Sequence, residues 1–189
     1  MRGFYLGPGW RPAAQFHRYC RTMSIRSATP LDAAALLGIY APYVTDTAIS
    51  FETDAPSADE FSARIERNLH TAPWLVFDKH DEILGYAYAT EFRARTAYDA
   101  TRETTVYVSP HHHGTGVGTA LMTELIDRLR SAGIAVAVAG ITLPNDPSVA
   151  LHERVGFQHV GTFHRVGRKF GEWHDVGFWE LQLDTNGDE

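Results

Sequence analysis

His113-Gly114-Thr115-Gly116-Val117-Gly118 separates two stretches of different period. Before it, Thr104-Thr105-Val106-Tyr107-Val108 is β-branched and aromatic and reads as a strand. After it, Ala120, Leu121, Leu125, Ile126 and Leu129 recur at helical spacing as far as Gly133. A glycine-rich turn between a strand and a helix can aim consecutive backbone N–H groups at an anion. No Cβ blocks the approach, and the helix N-terminus adds partial positive charge. Two common forms of such a turn are excluded. A P-loop ends in Gly-Lys-Ser/Thr, whereas Gly118 is followed by Thr119 and Ala120. A dinucleotide fingerprint needs Gly-x-Gly-x-x-Gly and an acid about 20 residues on. Here the spacing is Gly-x-Gly-x-Gly, and residues 134–143 contain no acid. On these residues alone, an anion site and a turn that needs glycine only for its geometry remain level.

Upstream, Thr29-Pro30-Leu31-Asp32 is a helix start, with a hydroxyl cap, proline at the first position and an acid at the third. Leu36, Leu37, Ile39, Tyr40 and Tyr43 continue it as one helix, broken near Pro42. Ser57-Ala58-Asp59-Glu60 starts a second helix through Phe61, Ile65 and Leu69. Residues 74–77 and 83–88 read as two strands of a hairpin about a polar turn. Downstream come an apolar strand over 134–143, a short helix from Asn145-Asp146-Pro147 to Gly156, and strands over 158–166 and 176–183. This order predicts a single α/β (α+β) domain.

At 189 residues, 44% apolar and 12% aromatic, the chain can bury a core, which excludes wholesale disorder. One cysteine, Cys20, makes neither an internal disulfide nor a cysteine-based zinc site. No apolar run reaches membrane-spanning length. Residues 1–22 hold four of the 17 basic residues and no acid, so the other 13 face all 23 acids, a net −10. So acidic a body, with no basic patch, argues against nucleic acid as a partner. Residues 1–22 are expected to be a disordered leader or to precede the true start at Met23, with a transit peptide as the alternative. The domain is expected over 23–184, followed by an acidic tail over 185–189. His111-His112-His113 is adjacent rather than spaced for coordination, so no metal is expected.

The strand–loop–helix unit with Gly116 and Gly118 in place resembles the pyrophosphate-binding loop of the GNAT superfamily of acyl-CoA N-acyltransferases. His113 stands where that family usually has Gln or Arg. Asn145 and Ala150-Leu151-His152-Glu153-Arg154-Val155-Gly156-Phe157 resemble the second half of the same site. Glu103-Thr104-Thr105-Val106-Tyr107-Val108, residues 143–149 and Trp173-His174-Asp175-Val176-Gly177-Phe178-Trp179 are similar to the phosphinothricin N-acetyltransferase branch. The likeness runs from about Ser24 to Leu183. It implies a central mixed, mostly antiparallel sheet flanked by helices, acetyl-CoA as cosubstrate, and a cytoplasmic homodimer.

The resemblance also implies roles. Val106, Tyr107, Val108, His113, Gly114, Thr115, Gly116, Val117, Gly118, Thr119, Asn145 and Ser148 would hold acetyl-CoA, with an oxyanion met by backbone N–H near Tyr107 or Val108. Glu103, just ahead of its strand and followed by the uncharged Thr104, Thr105 and Val106, would be the general base. His152 would protonate the departing thiolate or relay the amine proton. Arg93, Arg95 and Tyr98, with Phe51 and Tyr107 as walls, would bind an amino-acid-like acceptor bearing a second polar tetrahedral group. The implied activity is direct acetylation of such an acceptor's α-amine. Another amine on the same scaffold, or an inactive CoA-binding sensor, are the alternatives.

Overall fold

The computed structural model describes residues 23–183. The expected leader over 1–22 and tail over 185–189 lie outside those residues. One seven-stranded sheet runs in the order β1-β2-β3-β4-β5-β7-β6. Its strands are β1 (Ser24–Ser27), β2 (Trp74–Lys79), β3 (Glu82–Glu91), β4 (Thr101–Val108), β5 (Val136–Leu143), β6 (Gln158–Lys169) and β7 (Glu172–Gln182). Every neighbouring pair is antiparallel except β4 and β5. The helices are α1 (Ala33–Thr45), α2 (Ala58–Leu69), α3 (Val117–Ser131) and α4 (Asp146–Arg154).

Each face of the sheet carries its own core. On one face Leu121, Met122, Leu125 and Leu129 of α3 pack against Leu75, Ala87, Ala139 and Trp179. On the other, Leu36, Tyr40 and Val44 of α1 and Phe61 and Ile65 of α2 pack against Trp74, Val76 and Tyr86. Helix starts follow the expected chemistry: Ser57 Oγ accepts from Glu60 N, and Thr29 and Asp32 form a capping box.

Three local expectations are corrected. The helix is not broken at Pro42 but continues to Thr45. Pro42 lies in the last turn, where its missing N–H removes one bond, and the buried Tyr43 and Val44 beyond it hold the helix to the sheet. Strand β1, polar and four residues long, was not apparent; it pairs with β2 alone at the sheet edge. Strand β4 begins at Thr101, so Glu103 lies inside the strand rather than ahead of it. Thr-Arg-Glu has little intrinsic strand preference, but β3 and β5 pair it from both sides.

Candidate active site

The pairing of β4 with β5 covers only Thr101↔Val136, Arg102↔Ala137 and Glu103↔Val138. Beyond that point β4 stays with β3 as far as Val108↔Gly85, while β5 stays with β7 as far as Leu143↔Asp175. The two central strands therefore splay apart, and Glu103 stands at the last paired position. Ser109 N–H donates to Leu84 O at 2.8 Å on the β3 side. Strand alternation then turns the amides of Val106 and Val108 into the splay and puts the Tyr107 amide on the β3 ladder. Of the two positions expected to offer an oxyanion donor, the geometry retains Val108.

The splay opens into a two-part cleft. Its inner part is walled by Thr104, Thr105, Val106, Tyr107, Gly140, Ile141, Thr142 and His152. The outer part, about 430 Å³, runs past Val108, His113, Gly114 and the first turn of α3 to Pro147, Leu151 and Arg154 of α4. Ile49, Val106, Tyr107, Asn145 and Ser148 border both parts.

At the mouth, Gly116 is the N-cap of α3 in a left-handed conformation (φ 89°) and offers no side chain to its first turn. The opening amides of a helix have no intrahelical acceptor, so those of α3 remain free for an anion. The glycines answer to two different demands. Gly114 and Gly116 need positive φ and border open space. Gly118 has helical geometry, but a Cβ there would come 2.6 Å from Leu151 Cδ1, so it lets α3 close onto α4. Asn145 caps α4 by accepting from Ser148 N. Thr119 borders the outer part, whereas Thr115 turns its hydroxyl onto His112 O at 2.6 Å.

The His113 ring does not project freely at the loop. Its Nε2 lies 3.1 Å from Val108 O and 2.8 Å from Tyr43 Oη, and the Tyr43 hydroxyl donates to the same carbonyl at 2.5 Å. This histidine ties the loop to the end of β4 and to α1. Tyr43 and Ile49 were missed in the sequence; Tyr43 reads there only as a core position of α1.

Glu103 and His152 approach the splay from opposite faces of the sheet. Tyr107, four residues from Glu103 on the same strand and so on its face, packs on Tyr40 and Tyr43 of α1. The Glu103 carboxyl leans over Gly140, and desolvation raises its pKa, with the Arg93 guanidinium pulling the other way. His152 is buried on α4, edge-on to Phe157, and burial lowers its pKa. Its Nδ1 lies 2.8 Å from Ser148 O, an atom that can only accept, so Nδ1 carries the proton in the neutral ring. Nε2 is then a lone pair, buried without a hydrogen-bond partner among the described residues.

The expected acceptor residues are only partly gathered. Arg93 lies close enough to act on Glu103 and sits over the rings of Phe92 and Tyr98. Arg95 is exposed and borders neither part of the cleft. Phe51 likewise borders neither part; its ring lies against Gly167 of β6, where an added Cβ would come 2.2 Å from it.

The acetyltransferase (GNAT) domain pattern matches residues 25–177, nearly all of the described chain. The chain belongs to the GNAT acetyltransferases. Among GNAT relatives it is 42% identical to phosphinothricin N-acetyltransferase of Streptomyces viridochromogenes, over 87% of this chain and 90% of that one. It is 39% identical to the L-methionine sulfoximine/L-methionine sulfone acetyltransferase of Salmonella typhimurium, over 87% and 96%. A GNAT superfamily phosphinothricin acetyltransferase from Sinorhizobium meliloti, solved in complex with acetyl-CoA, superposes with a TM-score of 0.82. That match has 33% identity and covers 86% of this chain and 89% of that one. The GNAT fold expected for this chain is thereby established. Among the described residues no helix is long and apolar enough to cross a membrane.

Proposed function

We propose that this GNAT enzyme acetylates the α-amine of a small amino-acid-like acceptor of the phosphinothricin or methionine sulfoximine/sulfone type. One observation carries the reading. A single splay joins an uncapped helix N-terminus, suited to a diphosphate, to a desolvated carboxylate at its apex, suited to an ammonium proton. The relatives' names favour the acceptor class.

The residues present fit acetyl-CoA. The α3 amides, opened by Gly114 and Gly116, would take the diphosphate, and Asn145 and Ser148 would border the arm where the outer cleft meets the inner one. When bound, the cosubstrate supplies an activated thioester.

Glu103 takes the ammonium proton, a task suited to a raised pKa because the conjugate base is then stronger. The Val108 amide, turned into the splay, would meet the negative charge that gathers on the thioester's carbonyl oxygen. His152, neutral and bare at Nε2, accepts a proton before it can donate one. It would therefore take the second amine proton, released as the C–N bond forms, and pass it to the sulfur as the C–S bond breaks, a relay rather than a standing acid. Arg93, beside Glu103, offers a fork to the acceptor's carboxylate or tetrahedral group.

A homodimer accompanies this reading. Among the described residues strand β6 is paired on one side only, and Val160, Phe163, Val166, Phe170 and Trp173 are exposed on β6, β7 and their turn. An apolar edge of this kind is best covered by a symmetric copy. Sedimentation analysis of the wild type against Phe163→Lys tests it: a dimer that becomes a monomer supports pairing, and a wild-type monomer refutes it.

A thiol-release assay with phosphinothricin, methionine sulfoximine, methionine sulfone and polyamines tests the activity. Release with the first three but not the polyamines is expected. Release only with polyamines, or with none, contradicts the acceptor class.

A further inference from the structure

Lys169, the last residue of β6, is 97% buried, since only 3% of its surface is exposed. A buried ammonium is costly unless its donors are satisfied. Here Nζ donates to two main-chain carbonyls, Val44 O and Ser50 O, each at 2.6 Å. Val44 lies in the last turn of α1, where carbonyls lack helical donors and the helix dipole favours a cation. Ser50 lies in the segment that follows α1 and delivers Ile49 to both parts of the cleft. One side chain thus joins the β6–β7 turn, the end of α1 and the cleft wall.

Two features mark this joint as built. Phe170, next in the turn, holds φ 51° and Gly171 φ 82°. A two-residue hairpin turn with both central φ positive normally uses Asn or Gly at the first. A phenylalanine in that conformation is strained; its side chain stays largely exposed, with the ring 4.9 Å from Lys169 Nζ. On the far side, Ser50 Oγ lies 2.7 Å from Tyr40 Oη and accepts from Glu52 N at 3.2 Å, and Arg64 Nη1 holds Glu52 Oε1 at 2.6 Å. Tyr40 packs edge-on against Tyr107, which walls both parts of the cleft.

From this joint we infer that Lys169 is a positioning residue for the acceptor. It touches neither cleft, and it sets the place of residues 46–52 and so of Ile49. The inference rests on the proposed reading only in taking the acceptor to enter beside Ile49.

Lys169→Met keeps the apolar stem and removes all three donors. The expected result is an acceptor KM (methionine sulfone) raised at least tenfold, with kcat within threefold and the acetyl-CoA KM within twofold. Amide hydrogen exchange should quicken at residues 46–52 and stay unchanged in α3. Lys169→Arg should return the acceptor KM to within threefold of wild type. An unchanged acceptor KM, unchanged exchange at 46–52, or an equal loss for both substrates overturns the inference. If Lys169→Met does not fold, Lys169→Gln, with two donors on a shorter neutral stem, is read against the same limits. If neither folds, Lys169 serves the whole fold and the inference fails. Should the wild type acetylate no amino-acid-like acceptor, the functional reading fails, and the exchange experiment still decides whether Lys169 anchors the segment.

Discussion

The Glu103 carboxyl rests over Gly140: Oε1 lies 3.5 Å from where a Cβ on Gly140 would stand, and the Phe178 ring edge lies 3.3 Å from the same point. Strand β5 thus forms the floor beneath the proposed base, and Gly140 lines the inner cleft. Gly140→Val fills the space above that floor, with the Phe178 ring edge giving by a few tenths of an ångström to admit it. Acceptor kcat/KM should fall at least tenfold, with calorimetric acetyl-CoA affinity within threefold. Full activity in a folded Gly140→Val enzyme would mean that the acceptor does not pass over Gly140.

The raised pKa of Glu103 has consequences for rate and for stability, with signs that can be worked out. Activity needs the carboxylate, so kcat/KM should rise with pH through a value above the ordinary glutamate range. Glu103→Gln should lose about 10²–10⁴-fold in kcat and that acid limb with it. Burial favours the neutral form, so the folded state binds its proton more tightly than the unfolded one. Its stabilising effect is complete below the unfolded pKa and is lost as pH rises through the folded one. Glu103→Gln should therefore melt higher than wild type at neutral pH, and the gap should close on acidification. Scanning calorimetry across pH checks this; a destabilised Gln variant at pH 7 would contradict a desolvated carboxylate.

His152 packs edge-on against Phe157 with ring centroids 5.2 Å apart. His152→Phe keeps an aromatic ring there and removes both nitrogens. The variant should fold and bind acetyl-CoA, with kcat reduced at least tenfold. In the wild type, the requirement for a neutral ring should appear as a loss of activity only below the ordinary histidine range, because burial lowers this pKa. Unchanged kcat in the phenylalanine variant would remove the relay.

Gly116 and Gly118 should respond differently to alanine. Gly116→Ala forces a Cβ into φ 89°, at a cost of about 1–2 kcal/mol with no neighbour to blame. Gly118→Ala instead collides with the tip of the Leu151 side chain, which lines the outer cleft, so it should shift that side chain and weaken acetyl-CoA binding. Leu151→Ala should restore binding in the Gly118→Ala background and do nothing for Gly116→Ala. A double-mutant cycle in acetyl-CoA affinity measures this. Additive effects of Gly118→Ala and Leu151→Ala would show that the contact is not the cause.

Much of the site could be read from residue order, because its chemistry is local. The Gly-x-Gly-x-Gly loop, the Asn145 cap and the inward histidine each lie on one turn of chain. The parts that escaped depend on distant pairing. Thr101-Arg102-Glu103 becomes strand only because β3 and β5 flank it, and that pairing turns Glu103 from a strand-end carboxylate into a desolvated one at the apex. Tyr43 meets His113 across 70 residues, and Lys169 meets Val44 across 125. No spacing rule connects such positions. Phe51 reads as a pocket wall by its chemistry, yet the segment after α1 presents Ile49 to the cleft and lays Phe51 on Gly167.

A crystal structure of the chain with coenzyme A bears most directly on the central claim. The predicted result places the diphosphate within hydrogen-bond distance of the amides at residues 114–119, with the sulfur in the splay between Val108 and Asn145 and turned towards Glu103. A diphosphate held elsewhere, with those amides still open, or a sulfur lying outside the splay, would contradict it.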